Sequence, residues 1–382
     1  MENLIKVAWF GSSFIGRSAS GTAQTAKKSV VLLSKNFSHR VHVTLLLKSK
    51  FELEIAKSDP DLVNCELMLL DNKQRKFLSS SRQYYRYAWN NRKYHQFDIV
   101  HFSTARVYPF FYFFPAHKFV ATFHAGGDIT VPQDKFVLSR YIYNLIMKLQ
   151  WKKLHSIIAD SNFAVNEISE AYKIPTSRIT KIYLGADNFW IDNRNIVKER
   201  TSKIAVIGRW QKYKNIHTVV DGISELNSIE KSEIKVVLVG KSDQLGSNLV
   251  NSSVKSFFGQ IELFDYLPDQ ELISLYREVK IVIHPSINEG FGLPAFEAFS
   301  EGSVIIVHKN TPAAELLGSF EGVIIEDLTT KEGVKSAILK ASKSYKIDIS
   351  KRREYLQGIG ATWSNMAYNY LGVYNQLISL EG

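Results

Sequence analysis

Glu289-Gly-Phe-Gly-Leu-Pro-Ala-Phe-Glu297 decides the reading of this chain. It sets two carboxylates eight positions apart around a Gly-x-Gly turn, directly after the apolar run Ile281-Val282-Ile283. The pattern predicts a short buried strand ending near His284-Pro285 and a helix beginning near Leu293-Pro294. Proline is favoured at the first helical position, and Gly290 and Gly292 let the backbone come close to a ligand. The N–H groups of a helix start form an anion site. Carboxylates repel a phosphate but accept hydrogen bonds from hydroxyls, so the combination suits a phosphate flanked by two hydroxyl-bearing rings. A nucleotide sugar has that chemistry. The plain alternative is a strand–turn–helix unit with two solvated glutamates.

The wider segment His284-Pro-Ser-x-x-Glu-Gly-Phe-Gly-Leu-Pro-x-x-Glu-Ala, ending at Gly302, resembles the Glu-x7-Glu signature of retaining glycosyltransferases of family 4. The resemblance implies that Glu297 holds the ribose hydroxyls of a nucleotide and that Glu289 contacts the transferred sugar. It implies further that the backbone of Gly290, Phe291, Gly292 and Leu293 meets the diphosphate.

At 382 residues the chain is too long for one ordinary domain, and two are expected. A single cysteine, Cys65, excludes internal disulfides and points to a reducing compartment. No apolar run approaches the roughly 18 residues of a spanning helix. The nearest, Val107-Tyr-Pro-Phe-Phe-Tyr-Phe-Phe-Pro-Ala116, is short and holds two prolines. The N-terminus, Ile5-Lys6-Val7-Ala8-Trp9-Phe10, reads as a first buried strand and not as a signal peptide, so a soluble cytoplasmic protein is expected. Charge is unevenly divided. Residues 1–190 hold 26 Lys+Arg and 14 Asp+Glu, +12, and the remainder holds 22 and 23, −1, which together give the net +11. The first half is therefore expected to face something anionic.

Apolar runs alternate with amphipathic stretches, the pattern of parallel α/β sheets. Strands are expected over 5–10, 41–47, 99–102, 119–123 and 156–159, with helices near 22–35, 136–154 and 164–172. A second series of strands falls over 203–208, 235–240, 281–283, 304–307 and 323–325. The polar, aperiodic segment 191–202 reads as a linker, and no short repeat or low-complexity tract is visible. Two doubly wound, Rossmann-like halves, facing a central cleft, would bind a ligand at the carboxyl ends of their strands. The family resemblance names this α/β architecture GT-B. The expected division is an acceptor-binding domain over 1–190, the linker, a nucleotide-sugar-binding domain over 203–360, and a helix over 361–382 that crosses back onto the first domain.

Gly208-Arg209-Trp210-Gln-Lys-Tyr-Lys214-Asn215 follows a strand and precedes the helical pattern 216–226. Arg209 at a strand's carboxyl end and Lys214 at the next helix start can neutralise a diphosphate leaving group as its charge develops. The segment is similar to the family's Gly-Arg…Lys-Asn motif, whose cations bind the donor diphosphate; surface cations on a loop are the alternative. These cations would take the place of a metal. Asp59-Pro60-Asp61 resembles the Asp-x-Asp of metal-dependent nucleotide-sugar enzymes, but it lies in a polar loop beside proline and reads as a turn. No His/Cys/Glu cluster has metal-ligand spacing, so no metal is expected.

In Val120-Ala-Thr-Phe-His124-Ala-Gly-Gly-Asp128 a histidine stands just past a buried strand, where it can donate to a sugar hydroxyl or phosphate. Family members carry an important His and a nearby Asp at this position; His124 and Asp128 match, and a loop-stabilising role is the alternative for each. The loop 11–21 lacks the lysine of a Walker loop and does not fit Gly-x-Gly-x-x-Gly. Beside the resemblance, Gly21 matches a glycine that lets the first domain approach the donor phosphates, although the usual Gly-Gly is Ser20-Gly21 here. Ile157-Ile-Ala-Asp-Ser161 and Leu184-Gly185-Ala-Asp187 also fit the family, as does Glu315 after the 304–307 strand, and the backbone near Tyr266-Leu267 falls where base selection is expected.

Acceptor recognition would lie where the resemblance is weakest, over 51–89. Arg82-Gln-Tyr-Tyr-Arg86-Tyr-Ala-Trp-Asn-Asn-Arg92-Lys93-Tyr94 mixes cations with aromatics, and the helix 138–154 carries Arg140, Lys148, Lys152 and Lys153. Aromatics stack on sugars and cations meet lipid phosphates, so a glycan or lipid-linked acceptor and peripheral contact with an anionic membrane surface are expected. A solvated basic face, or a surface for RNA or single-stranded DNA, is the alternative. The resulting expectation is a retaining, metal-independent hexosyltransferase that uses a UDP or GDP sugar in cell-surface polysaccharide or glycolipid synthesis. Its rivals are a GT-B nucleotide-sugar epimerase or hydrolase, which needs no acceptor, and a non-catalytic basic nucleic-acid-binding protein. The ordered series Arg209, Lys214, Glu289, Glu297 argues against the last, since nucleic acid has no use for such glutamates, and no nucleic-acid partner is expected.

Overall fold

The computed structural model describes residues 4–10, 21–70, 80–91, 96–103, 110–124, 137–187, 200–230, 234–240, 247–343 and 345–379. The loop 11–20, Arg92-Lys93-Tyr94, Asp128 and the linker positions 191–199 lie outside the described residues, and of Arg82 and Arg140 only the backbone is described.

The chain forms two compact units, Met1–Leu184 with Trp363–Gly382, and Gly185–Thr362. The first is built on a seven-stranded sheet of β1 (Ile5–Phe10), β2 (Val41–Leu47), β3 (Glu66–Leu69), β4 (Phe97–Ser103), β5 (Ala116–Phe123), β6 (Ser156–Ala159) and β7 (Ile179–Lys181). Its order is β3-β2-β1-β4-β5-β6-β7 and every pairing is parallel. The second holds a six-stranded parallel sheet of β8 (Thr201–Ile207), β9 (Val236–Val239), β10 (Ile261–Phe264), β11 (Val279–His284), β12 (Val304–His308) and β13 (Val323–Glu326), in the order β10-β9-β8-β11-β12-β13. These are two doubly wound α/β units of the GT-B kind. In each, strand order reverses beside the first strand, between β1 and β4 and between β8 and β11, which is where open α/β sheets bind ligands.

Local sequence explains the strands. The central ones each carry a run of apolar residues because both faces are buried; Val236–Val239 and Val304–His308 are buried at every residue. The two cores differ in composition. Around the first sheet Phe10, Tyr84, Phe102, Phe111, Phe114, Phe123 and Tyr172 pack together, whereas Ile204, Val206, Val219, Ile223, Leu238, Ile283 and Ile306 fill the second. Each such side chain contributes roughly 1.5–3 kcal/mol on burial.

The helix Trp363–Ser379 belongs to the first unit. Trp363, Met366, Ala367, Tyr370, Tyr374 and Leu377 are buried, at the spacing of one helical face. Tyr370 lies beside Trp9, and Nδ1 of His101 shares a hydrogen bond of 2.5 Å with the Tyr374 hydroxyl. The helix Ser80–Asn91 alters the expectation for its aromatics. Tyr84 is fully buried, donating to the Phe111 carbonyl at 2.6 Å, and Tyr87 stacks on Phe114, so these rings build the core, while Trp89 is 67% exposed. Asp59 and Asp61 form a turn, as expected: Asp59 accepts from the Asp61 N–H at 3.1 Å, and Lys27 pairs with both carboxylates at 2.8 and 2.9 Å. None of the described helices is long and apolar enough to cross a membrane.

Candidate active site

Two loops leave the switch point of the second sheet, 208–215 from β8 and 285–292 from β11. The Ile287 N–H donates to the Tyr213 carbonyl at 3.1 Å and ties one loop to the other. Asn215 turns the first into the helix Ile216–Glu230 with φ 54°, a left-handed conformation that asparagine tolerates, and its side chain donates to the Leu328 carbonyl at 2.6 Å. This turn carries Lys214 onto Glu289, where the two form an ion pair with only 14% and 15% of their side chains exposed. His284, the last residue of β11, places Nε2 3.2 Å from the same carboxylate oxygen, within Coulombic reach though off the line of a hydrogen bond. Burial acts to raise the Glu289 carboxyl, but Lys214 and His284 outweigh it and hold the group down at about 2. Glu289 is thus a fixed anion and hydrogen-bond acceptor.

Gly292 starts the helix Leu293–Ser300 with φ 91° and ψ 48°, a conformation that favours glycine, and Pro294 sits in its first turn. A Cβ on Gly292 would stand 3.2 Å from His284 Nε2, so the glycine also makes room for that ring. No side chain caps the helix start; Pro294 has no N–H and that of Ala295 donates to the Gly292 carbonyl at 2.9 Å, which leaves the Leu293 N–H for an anion. Phe291 stacks on Phe296 with ring centroids 4.2 Å apart and anchors the turn. Gly290, Phe291 and Leu293 are all buried.

Glu297 lies one turn into that helix, 4% exposed, and its Oε2 accepts from the Tyr276 hydroxyl at 3.2 Å. Burial pushes its carboxyl up to about 7; the Tyr276 hydroxyl opposes the rise and the Asp269 charge adds to it. Arg209, just past β8, is exposed and forms no ion pair among the described residues. Leu267 follows β10 and is buried, beside exposed Tyr266. Glu315 stands exposed in the first turn of Pro312–Leu317, after β12. The structure therefore brings Lys214, Glu289, Gly292 and His284 together, places Glu297 on the same strand–turn–helix unit, and leaves Arg209 open to solvent. Among the described residues no group of three or more His, Cys, Asp or Glu is arranged to hold a metal ion.

In the first unit, Gly21 begins the helix Gly21–Asn36 after the loop that leaves β1. His124 follows β5, is 5% exposed, and sets Nδ1 2.8 Å from Asp160 Oδ2. Ser161, beside Asp160, caps the helix Asn162–Tyr172 by accepting from the Ala164 N–H at 3.0 Å.

A family model for "Glycosyltransferase Family 4" matches residues 27–188, and one for "Glycosyl transferases group 1" matches 189–357, so the two run on from one another across both units. The chain belongs to glycosyltransferase family 4. This glycosyltransferase is 24% identical over 284 residues to the O-antigen chain mannosyltransferase B of Escherichia coli, across 68% of this chain and 70% of that protein. It is 25% identical over 199 residues to the D-inositol 3-phosphate glycosyltransferase of Corynebacterium jeikeium, across 48% of this chain and 46% of that one. Among solved structures, sucrose-phosphate synthase from Thermosynechococcus elongatus superposes with a TM-score of 0.73 at 15% identity, covering 98% of this chain and all of the other. Anabaena HepE in complex with UDP and glucose gives 0.65 at 14% identity, covering 99% of each chain. At these identities the structures share the fold.

Three residues beside the candidate positions of the two units carried no role in the sequence. Tyr276 reaches Glu297 from the helix Asp269–Glu278, His284 reaches Glu289 from inside a strand, and Asp160 reaches His124 from the neighbouring strand end. The last two had a local signal, a polar residue directly past an apolar run, whereas Tyr276 had none.

Proposed function

We propose that this glycosyltransferase moves a hexose-type sugar from a UDP or GDP sugar, with retention and without a metal ion, onto a glycan or lipid-linked glycan in cell-surface polysaccharide or glycolipid synthesis. The observation that carries the reading is Lys214 clamped to Glu289 beside the uncapped helix start at Gly292. Lys214, Arg209 and the Leu293 N–H receive the diphosphate and neutralise its charge as the sugar leaves. Leu267 lines the base from the end of β10, and Glu297 accepts from the ribose hydroxyls. Glu289 and His124 orient the sugar, and Gly21 lets the first unit's backbone approach the phosphates. The Glu289 carboxylate is occupied by its ion pair with Lys214, which supports same-face attack assisted by the departing phosphate over a covalent sugar–enzyme step. The O-antigen mannosyltransferase relative supports a hexose and a polysaccharide acceptor.

On the acceptor side, residues 72–159 hold 14 Lys+Arg and three Asp+Glu, +11, which equals the net charge of the whole chain. In the same stretch Phe113 is 59% and Leu149 73% exposed, with Lys153 over the Tyr112 ring at 5.8 Å. Exposed apolar groups among cations suit an anionic membrane surface that carries the acceptor.

Thermal unfolding with UDP, GDP, ADP or CMP, without added metal, tests the donor site. One diphosphate at about 100 times its Kd adds roughly 2.7 kcal/mol. Glu297→Ala and Arg209→Ala are expected to abolish that gain. If no nucleotide stabilises the protein while an oligonucleotide does, the transferase assignment of this site falls.

A further inference from the structure

Polar side chains converge at the carboxyl ends of three adjacent strands in the first unit. Ser103 ends β4, His124 follows β5 and Asp160 follows β6, and they are 3%, 5% and 2% exposed. Asp160 Oδ2 lies 2.8 Å from His124 Nδ1, and Ser103 Oγ lies 3.5 Å from Nε2. We propose that Asp160 is a positioning residue: its carboxylate accepts from the Nδ1–H of His124, fixing the tautomer and the ring plane and committing Nε2 to the ligand that His124 serves. The inference rests on the reading above, in which His124 meets the donor sugar.

A second buried histidine in the same unit shows what a structural arrangement looks like. His101 is 0% exposed, and both of its nitrogens meet neutral hydroxyls, Tyr374 at 2.5 Å and Thr122 at 2.8 Å. That pairing satisfies the ring without burying a charge. His124 instead sits against a buried carboxylate, an arrangement that costs several kcal/mol in desolvation and that packing alone does not require. Asp160 Oδ1 is buried with no hydrogen-bond partner among the described residues, so the carboxylate is not there to complete a structural network. Its backbone is held by the Ser161 cap directly after it, which leaves the carboxylate little freedom to move away from the ring. A fixed carboxylate on Nδ1–H is how a functional imidazole is oriented and its other nitrogen made a better partner.

The full-length protein with 15N-labelled histidine provides the test. His124 is expected to carry its proton on Nδ1, with the far-downfield resonance of an N–H bonded to a buried carboxylate, and Asp160→Ala is expected to remove that resonance. Asp160→Asn serves as the conservative variant should Asp160→Ala not fold. Release of nucleoside diphosphate from GDP-mannose and UDP-glucose reads the second consequence. Losing one charge-assisted contact is expected to lower kcat about 10- to 100-fold with KM nearly unchanged. In a His124→Ala background, Asp160→Ala is expected to lower it no further, because Asp160 acts through His124. Protonation of wild-type His124 on Nε2, an unchanged kcat in Asp160→Asn, or an equal loss in both backgrounds overturns the proposal. If neither nucleotide sugar is consumed, the transferase reading fails for these donors, and the resonance then decides the role of Asp160 by itself.

Discussion

The two ends of the second sheet treat their polar groups in opposite ways. At the amino end, among the described residues, Arg200, Arg352 and Glu301 are met by the protein. Arg200 donates to the carbonyls of Tyr276, Val279 and Glu301 at 2.7, 2.8 and 2.6 Å, and Arg352 donates to those of Ser303 and Glu321 at 2.8 and 2.6 Å. Glu301, 1% exposed, is held between Arg277 at 2.6 Å and Arg353 at 2.9 Å. At the carboxyl end, Glu297 is nearly as buried and lies four positions before Glu301, yet it meets one neutral hydroxyl. His284 Nδ1 is buried without a hydrogen bond among the described residues, and no side chain caps the helix start at Gly292. Folding by itself selects against groups left in that condition. One end is satisfied by the fold, and the other keeps polar groups that the fold leaves partly unmet.

The largest effect belongs to the satisfied end. Arg352→Ala leaves the Ser303 and Glu321 carbonyls without donors and removes the guanidinium stacked 4.4 Å from the Phe299 ring centre. A loss of about 3–4 kcal/mol is expected in urea unfolding, since each orphaned buried acceptor costs about 1–3 kcal/mol. The nucleotide's stabilising increment is expected to survive in whatever folds. Should the variant keep its stability and lose the increment instead, the two ends are not separate in role.

A smaller effect, of opposite sign, belongs to Glu297. Its carboxyl sits at about 7 in the fold against an ordinary value of 4.5, so the folded state holds this proton more tightly than the unfolded chain. The group therefore favours the fold fully below pH 4.5 and loses that contribution as pH rises through about 7. Glu297→Gln is expected to be more stable than the parent at pH 8 by roughly 1–3 kcal/mol, with the difference closing toward pH 4.5. On the proposed reading ribose hydroxyls donate to the ionised form, so nucleotide affinity is expected to rise between pH 6 and 8 more steeply in the parent than in the variant. Parallel stability curves for the two proteins would mean that Glu297 is already satisfied in the fold.

What was legible in the sequence divides along similar lines. Strands buried on both faces are continuous apolar runs and declare themselves, as Val236–Val239 does, and Ile5–Phe10 and Val41–Leu47 are apolar enough to follow suit although each has one exposed polar residue. Glu66–Leu69, Ile179–Lys181 and Ile261–Phe264 lie at sheet edges, are short, and mix apolar with exposed charged residues, so no periodicity marks them. The helix Ser80–Asn91 hid its inward face because its core contacts, Tyr84 and Ala88, stand among arginines and asparagines. At the site, the turn from β11 into Leu293–Ser300 follows from glycine and proline chemistry that is local in the chain. Its partners are not local: Lys214 lies 75 positions from Glu289, and Tyr276 reaches Glu297 across 21. Which cation meets which carboxylate is decided by strand order, and strand order is set by the packing of the whole sheet.

The smallest effect sharpens the comparison most, because it separates position from satisfaction. Lys309, just past β12, lies at the carboxyl end of the sheet but pairs with Asp327, past β13, at 2.8 Å. Asp327 also accepts from the Thr329 N–H at 3.0 Å and from its hydroxyl at 2.5 Å, so its carboxylate is met by the protein. The pair is half exposed on the lysine side and screened by water, so Lys309→Ala is expected to cost between about 0 and 1 kcal/mol. Lys309 holds the Asp327 carboxyl below its usual range, so this contribution is present above pH 3.8 and fades as pH falls below it. Nucleotide stabilisation is expected to be untouched, in contrast to Arg209→Ala on the same edge of the sheet. If Lys309→Ala removes it, mere location at the carboxyl end marks the site. If it does not, what marks the site is polar groups that the fold leaves unmet.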